Sequence, residues 1–190
     1  MSASDDSELV QRAKAGDDDA FARLASLYRG RITATASRYA RGRPELEDLV
    51  QDIFIRTWKG LGKFREDAPF EHWIMRIAIR TCYDFLRRHR RRRELEILSD
   101  DPIPDRESFA TGPANEDEEL RRREAWEIVQ RLLEQLGEKD RVAVTLIDLE
   151  QRSVKEAAAL TGWSESNVKV RAFRARKRMQ ELYRNLTPRD

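Results

Sequence analysis

Cationic and aromatic side chains share one helical face between Phe70 and Arg93, and the chemistry they suit is contact with nucleic acid. At 100° per residue, His72, Arg76, Arg80, Tyr83 and Arg87 fall on one side of a helix, with Trp73 at the margin. The same helix runs into Arg87-Arg88-His89-Arg90-Arg91-Arg92-Arg93, six arginines in seven residues. Guanidinium groups neutralise phosphates, and a neighbouring indole offers a face on which an unpaired base stacks. A solvated helix face is the plainer alternative. A loop, Gly62-Lys63-Phe64-Arg65-Glu66-Asp67-Ala68-Pro69-Phe70, precedes the stripe.

A second set lies near the C-terminus. Val168, Ala172, Ala175, Met179 and Tyr183 cluster on one side of a helix, as a core would. Opposite them stand Ser166, Lys169, Val170, Phe173, Arg174 and Lys177, which sets two apolar groups among cations on an outer face. A helix in a DNA major groove uses such residues against thymine methyls, with Lys169 and Arg174 reaching base edges or phosphates. Packing on a neighbouring domain or on a protein partner is the alternative. The preceding residues strengthen the first reading. Ser153 with Glu156 forms a capping-box pattern, Thr161-Gly162-Trp163 a tight turn, and Ser164 a cap for the final helix, which together give helix-turn-helix order.

Catalytic chemistry finds little support. There is no nucleophile elbow or phosphate-cradling glycine loop, and Asp48 and Asp52, four residues apart, fit a solvated or partner-facing helix better than a carboxylate pair. Two histidines and one cysteine make a metal site an unlikely design, so no metal, cofactor or small-molecule substrate is expected. The single Cys82 forms no internal disulfide, no apolar run approaches the ~20 residues of a membrane span, and no secretory signal opens the chain. These features predict a cytoplasmic protein.

The elements that position both sets are helices. Leu9, Val10 and Ala13 suggest a short helix ended near Gly16, and Asp17 to Asp19 cap the next, which turns Phe21, Leu24, Ala25, Tyr28, Ile32 and Tyr39 inward. A helix from Glu45 buries Leu46, Leu49, Val50, Ile53 and Phe54, and the basic-stripe helix buries Ile74, Ile77, Ala78, Thr81 and Phe85. A further helix carries Trp126, Val129, Leu133 and Leu136 on one face, Gly137 breaks it, and another carries Val142, Leu146 and Leu149. Nothing reads as a strand. The expected class is all-α, with two small helical domains at 1–93 and 120–190.

Charge separates them. The chain of 190 residues has a net charge of +2, but residues 94–119 hold ten acidic groups and one basic one, so that segment carries −9 and the remainder +11. Pro102, Pro104 and Pro113 and the scarcity of large apolar groups predict a flexible acidic linker. It serves as a soluble spacer or imitates nucleic acid in a positively charged channel.

Two blocks of this sequence resemble bacterial RNA polymerase sigma factors of the extracytoplasmic-function (ECF) group. The first comprises Glu47-Asp48-Leu49-Val50-Gln51-Asp52-Ile53-Phe54, Phe64-Arg65, Phe70 to Ala78, and Asp84-Phe85-Leu86-Arg87-Arg88, and is similar to sigma region 2. The second runs from Asp140-Arg141 through Asp148-Leu149-Glu150, Ser153, Glu156, Ala158 and Gly162 to Asn167-Val168-Lys169 and Arg174-Ala175-Arg176, and is similar to region 4. The resemblance implies a non-enzymatic subunit that directs core polymerase to promoters and assists DNA opening. It implies that Asp48, Gln51, Asp52, Ile55 and Trp58 dock on the polymerase clamp helices, and that the polymerase flap is a further contact. On the same resemblance, the loop Lys63, Phe64, Arg65, Glu66, Asp67, Ala68 and Phe70 is expected to capture a flipped −10 base, His72, Trp73, Arg76 and Arg80 to hold the opened strand, and Ser166, Lys169, Val170, Phe173, Arg174 and Lys177 to read the −35 element. The resemblance also implies restraint by an anti-sigma factor, often membrane-bound. Gly137 stands where the family commonly has proline, Ala157 where it has a larger aliphatic, and Asn167 and Val170 where threonine and serine are frequent, so the −35 preference transfers least. A stand-alone helix-turn-helix regulator, binding an operator without polymerase, is the alternative function.

Overall fold

The computed structural model describes residues 3–96 and 116–186. The described residues form eight α-helices and no strand. They are α1 (Ala3–Lys14), α2 (Asp18–Ala36), α3 (Arg43–Gly60), α4 (Phe70–Glu96), α5 (Glu116–Glu134), α6 (Glu138–Val144), α7 (Val154–Thr161) and α8 (Glu165–Leu186). The chain divides into two compact units, Met1–Glu94 and Leu95–Asp190.

In the first unit, α1 packs on α2 and α2 on α3, and a single 3₁₀ turn, Leu61–Lys63, touches both α1 and α3. Local chemistry sets the boundaries. Gly16, with φ of 93°, lets the chain leave α1, and the Asp17 carboxylate then accepts from the Ala20 amide at 3.0 Å to cap α2. Pro44 opens α3, where a missing N–H costs nothing. The core is built from Leu24, Ile32, Tyr39, Leu49, Ile53, Leu61, Ile74 and Ile79, all fully buried.

The helix faces differ in detail from the periodic pattern. Met75, Ile79, Cys82 and Leu86 join Ile74, Ala78, Thr81 and Phe85 as the buried side of α4, whereas Ile77 is half-buried at its edge. The same helix is tied to both α2 and α3, by Arg31 to Glu71 and by Arg56 to Asp84. Buried Thr57 and Thr81 donate their hydroxyls back to the Ile53 and Ile77 carbonyls, each at 2.8 Å, which lets a polar group sit in the core. Phe21 and Phe54 are half-buried rather than enclosed.

In the second unit, α6 and α7 pack across α8, and α5 contributes Leu133 to a cluster with Val144 and Ala175. Val129, Leu136, Leu149 and Met179 close over that cluster. A turn of π-helix, Thr145–Leu149, follows α6. Tyr183, expected inward, is exposed, while Leu182, Asn185 and Leu186 beside it line a cavity with Leu132 of α5 and Gln135. Within the segment read as a linker, 94–119, α4 continues through Glu96 and α5 begins at Glu116. An acidic first turn followed by arginines suits a helix start. The acidic stretch 97–115 lies outside the described residues.

The capping box at α7 is present in both directions. Ser153 Oγ accepts from the Glu156 amide at 3.2 Å, and the Glu156 carboxylate accepts from the Ser153 amide at 2.9 Å. Gly162, at φ of 75°, closes α7 in the left-handed region. Ser153→Ala should lower the stability of this unit by about 1 kcal/mol, seen as a fall of about 5 °C in its thermal transition. An unmoved transition would show that the cap contributes nothing.

Candidate nucleic-acid interface

The site in the first unit is built on an aromatic cluster. Trp73 lies with its ring centroid 5.0 Å from that of Phe64 and 5.5 Å from that of Phe70; Phe70 in turn meets Phe64 at 5.6 Å and Tyr28 at 5.5 Å. The indole also lies beside Gly60, where a Cβ would stand in ordinary contact with it at 3.4 Å. Trp73 is thus held from below while half-exposed above. His72, Arg76, Arg80 and Arg87 are exposed on the adjoining face of α4, and Tyr83 is half-buried among them. Arg31 of α2 pairs with Glu71, fixing the first turn of this helix.

The loop between Lys63 and Phe70 sorts into two kinds of residue. Phe64 and Phe70, assigned to base capture from the sequence, are 5% exposed and belong to the aromatic cluster. From there the two rings anchor the loop rather than line its outer surface. The reason is geometric: a loop closing over a helical core needs an apolar anchor at each end, and these two rings supply it. Lys63, Arg65, Asp67 and Ala68 are exposed. Glu66 is also at the surface, but its carboxylate accepts from Gln11 Nε2 at 2.6 and 2.7 Å and from Lys14 Nζ at 2.7 Å. Lys14 first, and Gln11 with it, hold the Glu66 carboxyl below the ordinary carboxylate range.

The face of α3 assigned to a protein partner is one continuous side of the helix. Asp48, Gln51 and Ile55 are exposed. Asp52 is engaged, accepting from Arg56 Nε at 3.0 Å and from an Arg88 guanidinium nitrogen at 3.2 Å. Arg56 also donates to Asp84 at 2.8 Å, which ties α3 to α4. Trp58 remains 37% exposed while one side of its indole rests on Phe21, centroids 4.7 Å apart.

In the second unit, α8 divides its cations by role. Arg176 grips Asp148 through two nitrogens, at 3.0 and 2.8 Å, and Arg171 donates to Asp140 at 2.8 Å while lying 5.5 Å over the Trp163 ring. Those two arginines fasten the helix to its scaffold. Ser166, Lys169, Arg174 and Lys177 are exposed on the opposite face, and between them Phe173 is 66% and Val170 48% exposed. All six residues assigned to DNA in this helix therefore share one open, cationic and partly apolar surface. Among the described residues no three His, Cys, Asp or Glu side chains gather as a metal site. No described helix is long and apolar enough to cross a membrane.

Lys14 and Gln11 were not singled out from the sequence. They lie about fifty positions from the loop they hold, and nothing in local spacing signals that pairing.

Comparison with known proteins covers both units. Residues 24–92 match the Sigma-70 region 2 family and residues 126–179 match Sigma-70 region 4. The chain is 34% identical over 177 residues to the ECF RNA polymerase sigma-E factor of Escherichia coli (strain K12), covering 90% of this chain and 91% of that protein. Among solved structures it is similar to CnrH, solved in complex with the cytosolic domain of CnrY, with a TM-score of 0.61, 26% identity, and coverage of 96% and 99% of the two chains. It is also similar to the sigma factor RpoE of Bartonella quintana in complex with the anti-sigma factor NepR, with a TM-score of 0.58, 26% identity, and coverage of 86% and 96%. With region 2 and region 4 in order and a relative of this identity matched over nearly its whole length, the chain belongs to the ECF RNA polymerase sigma factors.

Proposed function

We propose that the two units share promoter recognition in the manner their surfaces suggest. As an ECF sigma factor the protein directs core RNA polymerase to promoters and supports initiation. The first unit takes the −10 element: Lys63, Arg65, Asp67 and Ala68 surround the captured base, and Trp73 with His72, Arg76 and Arg80 holds the opened strand. The second unit reads the −35 element through Ser166, Lys169, Val170, Phe173, Arg174 and Lys177. Asp48, Gln51, Ile55 and Trp58 meet the polymerase clamp helices, with Asp52 shaping that face from within its ion pairs. The polymerase supplies the bond-making chemistry, and the sigma chain works in the cytoplasm.

The observation that carries this reading is Phe173, two-thirds exposed in the middle of a cationic helix face. A large ring in that setting is costly to leave in water and is accounted for when DNA covers it. The Bartonella RpoE was solved with the anti-sigma factor NepR and CnrH with the cytosolic domain of CnrY, and an anti-sigma factor is proposed as the regulator here too.

The test is reconstitution. Full-length protein mixed with core polymerase should start transcription from promoters with paired −35 and −10 elements, selected by that holoenzyme from genomic DNA. Specific DNA binding or repression without polymerase, and no initiation with it, would instead favour a stand-alone regulator.

A further inference from the structure

The loop proposed to take the −10 base is held in shape from outside itself. Glu66 adopts φ of 61°, a left-handed conformation unfavourable to a residue with a Cβ. Such a conformation persists only where its surroundings impose it. Here α1 does so. Lys14 donates to the Glu66 carboxylate at 2.7 Å and also to the Phe64 carbonyl at 3.0 Å, so one ammonium bridges two points of the turn. Gln11, one helical turn earlier, holds both oxygens of the same carboxylate. A separate tie lies further back on α1. Asp6 accepts from the Tyr28 hydroxyl, and Tyr28 supports Phe70, the far anchor of the loop. The first helix therefore braces the loop at its tip and, through Tyr28, at its end.

We infer that Lys14 and Gln11 are positioning residues for base capture: they fix the turn at Glu66 so that Arg65, Asp67 and Ala68 surround a pocket before any base arrives. Neither needs to touch DNA. Their contribution is preorganisation, which spares binding the cost of ordering the loop. The inference rests on the −10 assignment above.

The test uses holoenzyme assembled from the full chain and core polymerase, with fork-junction DNA whose −10 single strand carries either the natural base or an abasic site at each position in turn. Wild-type holoenzyme should show one position where the abasic site weakens binding. Lys14→Ala should weaken binding to the natural strand about tenfold and leave binding to the strand abasic at that position unchanged. Gln11→Ala, at an exposed position where folding is not at stake, should do the same to a smaller extent. Lys14→Arg, which keeps charge and donors, should recover most of the loss. Affinity for core polymerase should not move in any variant. Equal losses on natural and abasic strands, or no loss, would overturn the positioning role. A wild-type holoenzyme with no abasic-sensitive position would overturn the base-capture reading itself, which is a distinguishable failure.

Discussion

Trp73→Ala should slow promoter opening by roughly 10- to 100-fold, because stacking of one base on an aromatic ring contributes about 1–3 kcal/mol. The ring is well placed for that task. Phe64 and Phe70 support it from within the domain, its outer part is open, and Arg76 and Arg80 stand on the adjoining face to meet phosphates. Truncation also removes packing, so two controls separate the effects. Trp73→Phe keeps an aromatic face on the same supports and should lose much less. On a pre-melted template, where the duplex need not be opened, the Trp73→Ala defect should largely vanish in permanganate footprinting. A defect of the same size on pre-melted and duplex templates would count against a role in opening.

The second large effect should come from α8. Arg174→Ala should reduce discrimination between the correct and a mismatched −35 base pair by about 1–3 kcal/mol, the value of a good base-edge contact. Lys169→Ala should likewise harm −35 recognition. Lys177→Ala should act differently if it meets only phosphate, weakening all sequences alike and lowering the salt dependence by about one counterion. These substitutions should leave the thermal transition nearly unmoved, since all three side chains are exposed and take no part in the core of Leu133, Val144 and Ala175. That separates them from Arg171 and Arg176, whose ion pairs with Asp140 and Asp148 belong to the scaffold. Holoenzyme binding to −35 duplexes with single mismatches provides the measurement. Unchanged discrimination by Arg174→Ala and Lys169→Ala would remove this helix as the reader.

Much of this was legible in one dimension. Helical periodicity set apart the buried and open faces of α3, α4 and α8, because a helix repeats its geometry every few residues and needs no distant information. Ser153 with Glu156, and Gly162 after them, marked α7 because caps are local chemistry. The exposed set from Ser166 to Lys177 could be read from the same spacing. The acidic content of residues 94–119 was likewise plain, although the helices on either side reach into that stretch.

The tertiary structure decided which of the marked residues are at the surface and which are held by others. The family resemblance makes Phe64 and Phe70 contact residues; the fold turns them inward, where burying two rings against Tyr28 and Trp73 outweighs leaving them in water. Glu66 looked like part of the pocket lining and is instead clamped by Gln11 and Lys14, 55 and 52 positions away. Trp58 shares its indole between Phe21 and solvent, which the spacing of α3 alone left open. Sequence periodicity reports how a residue is oriented about its own helix. It carries no record of which other helix lies opposite, and the side chains whose roles changed are those whose partners come from another helix.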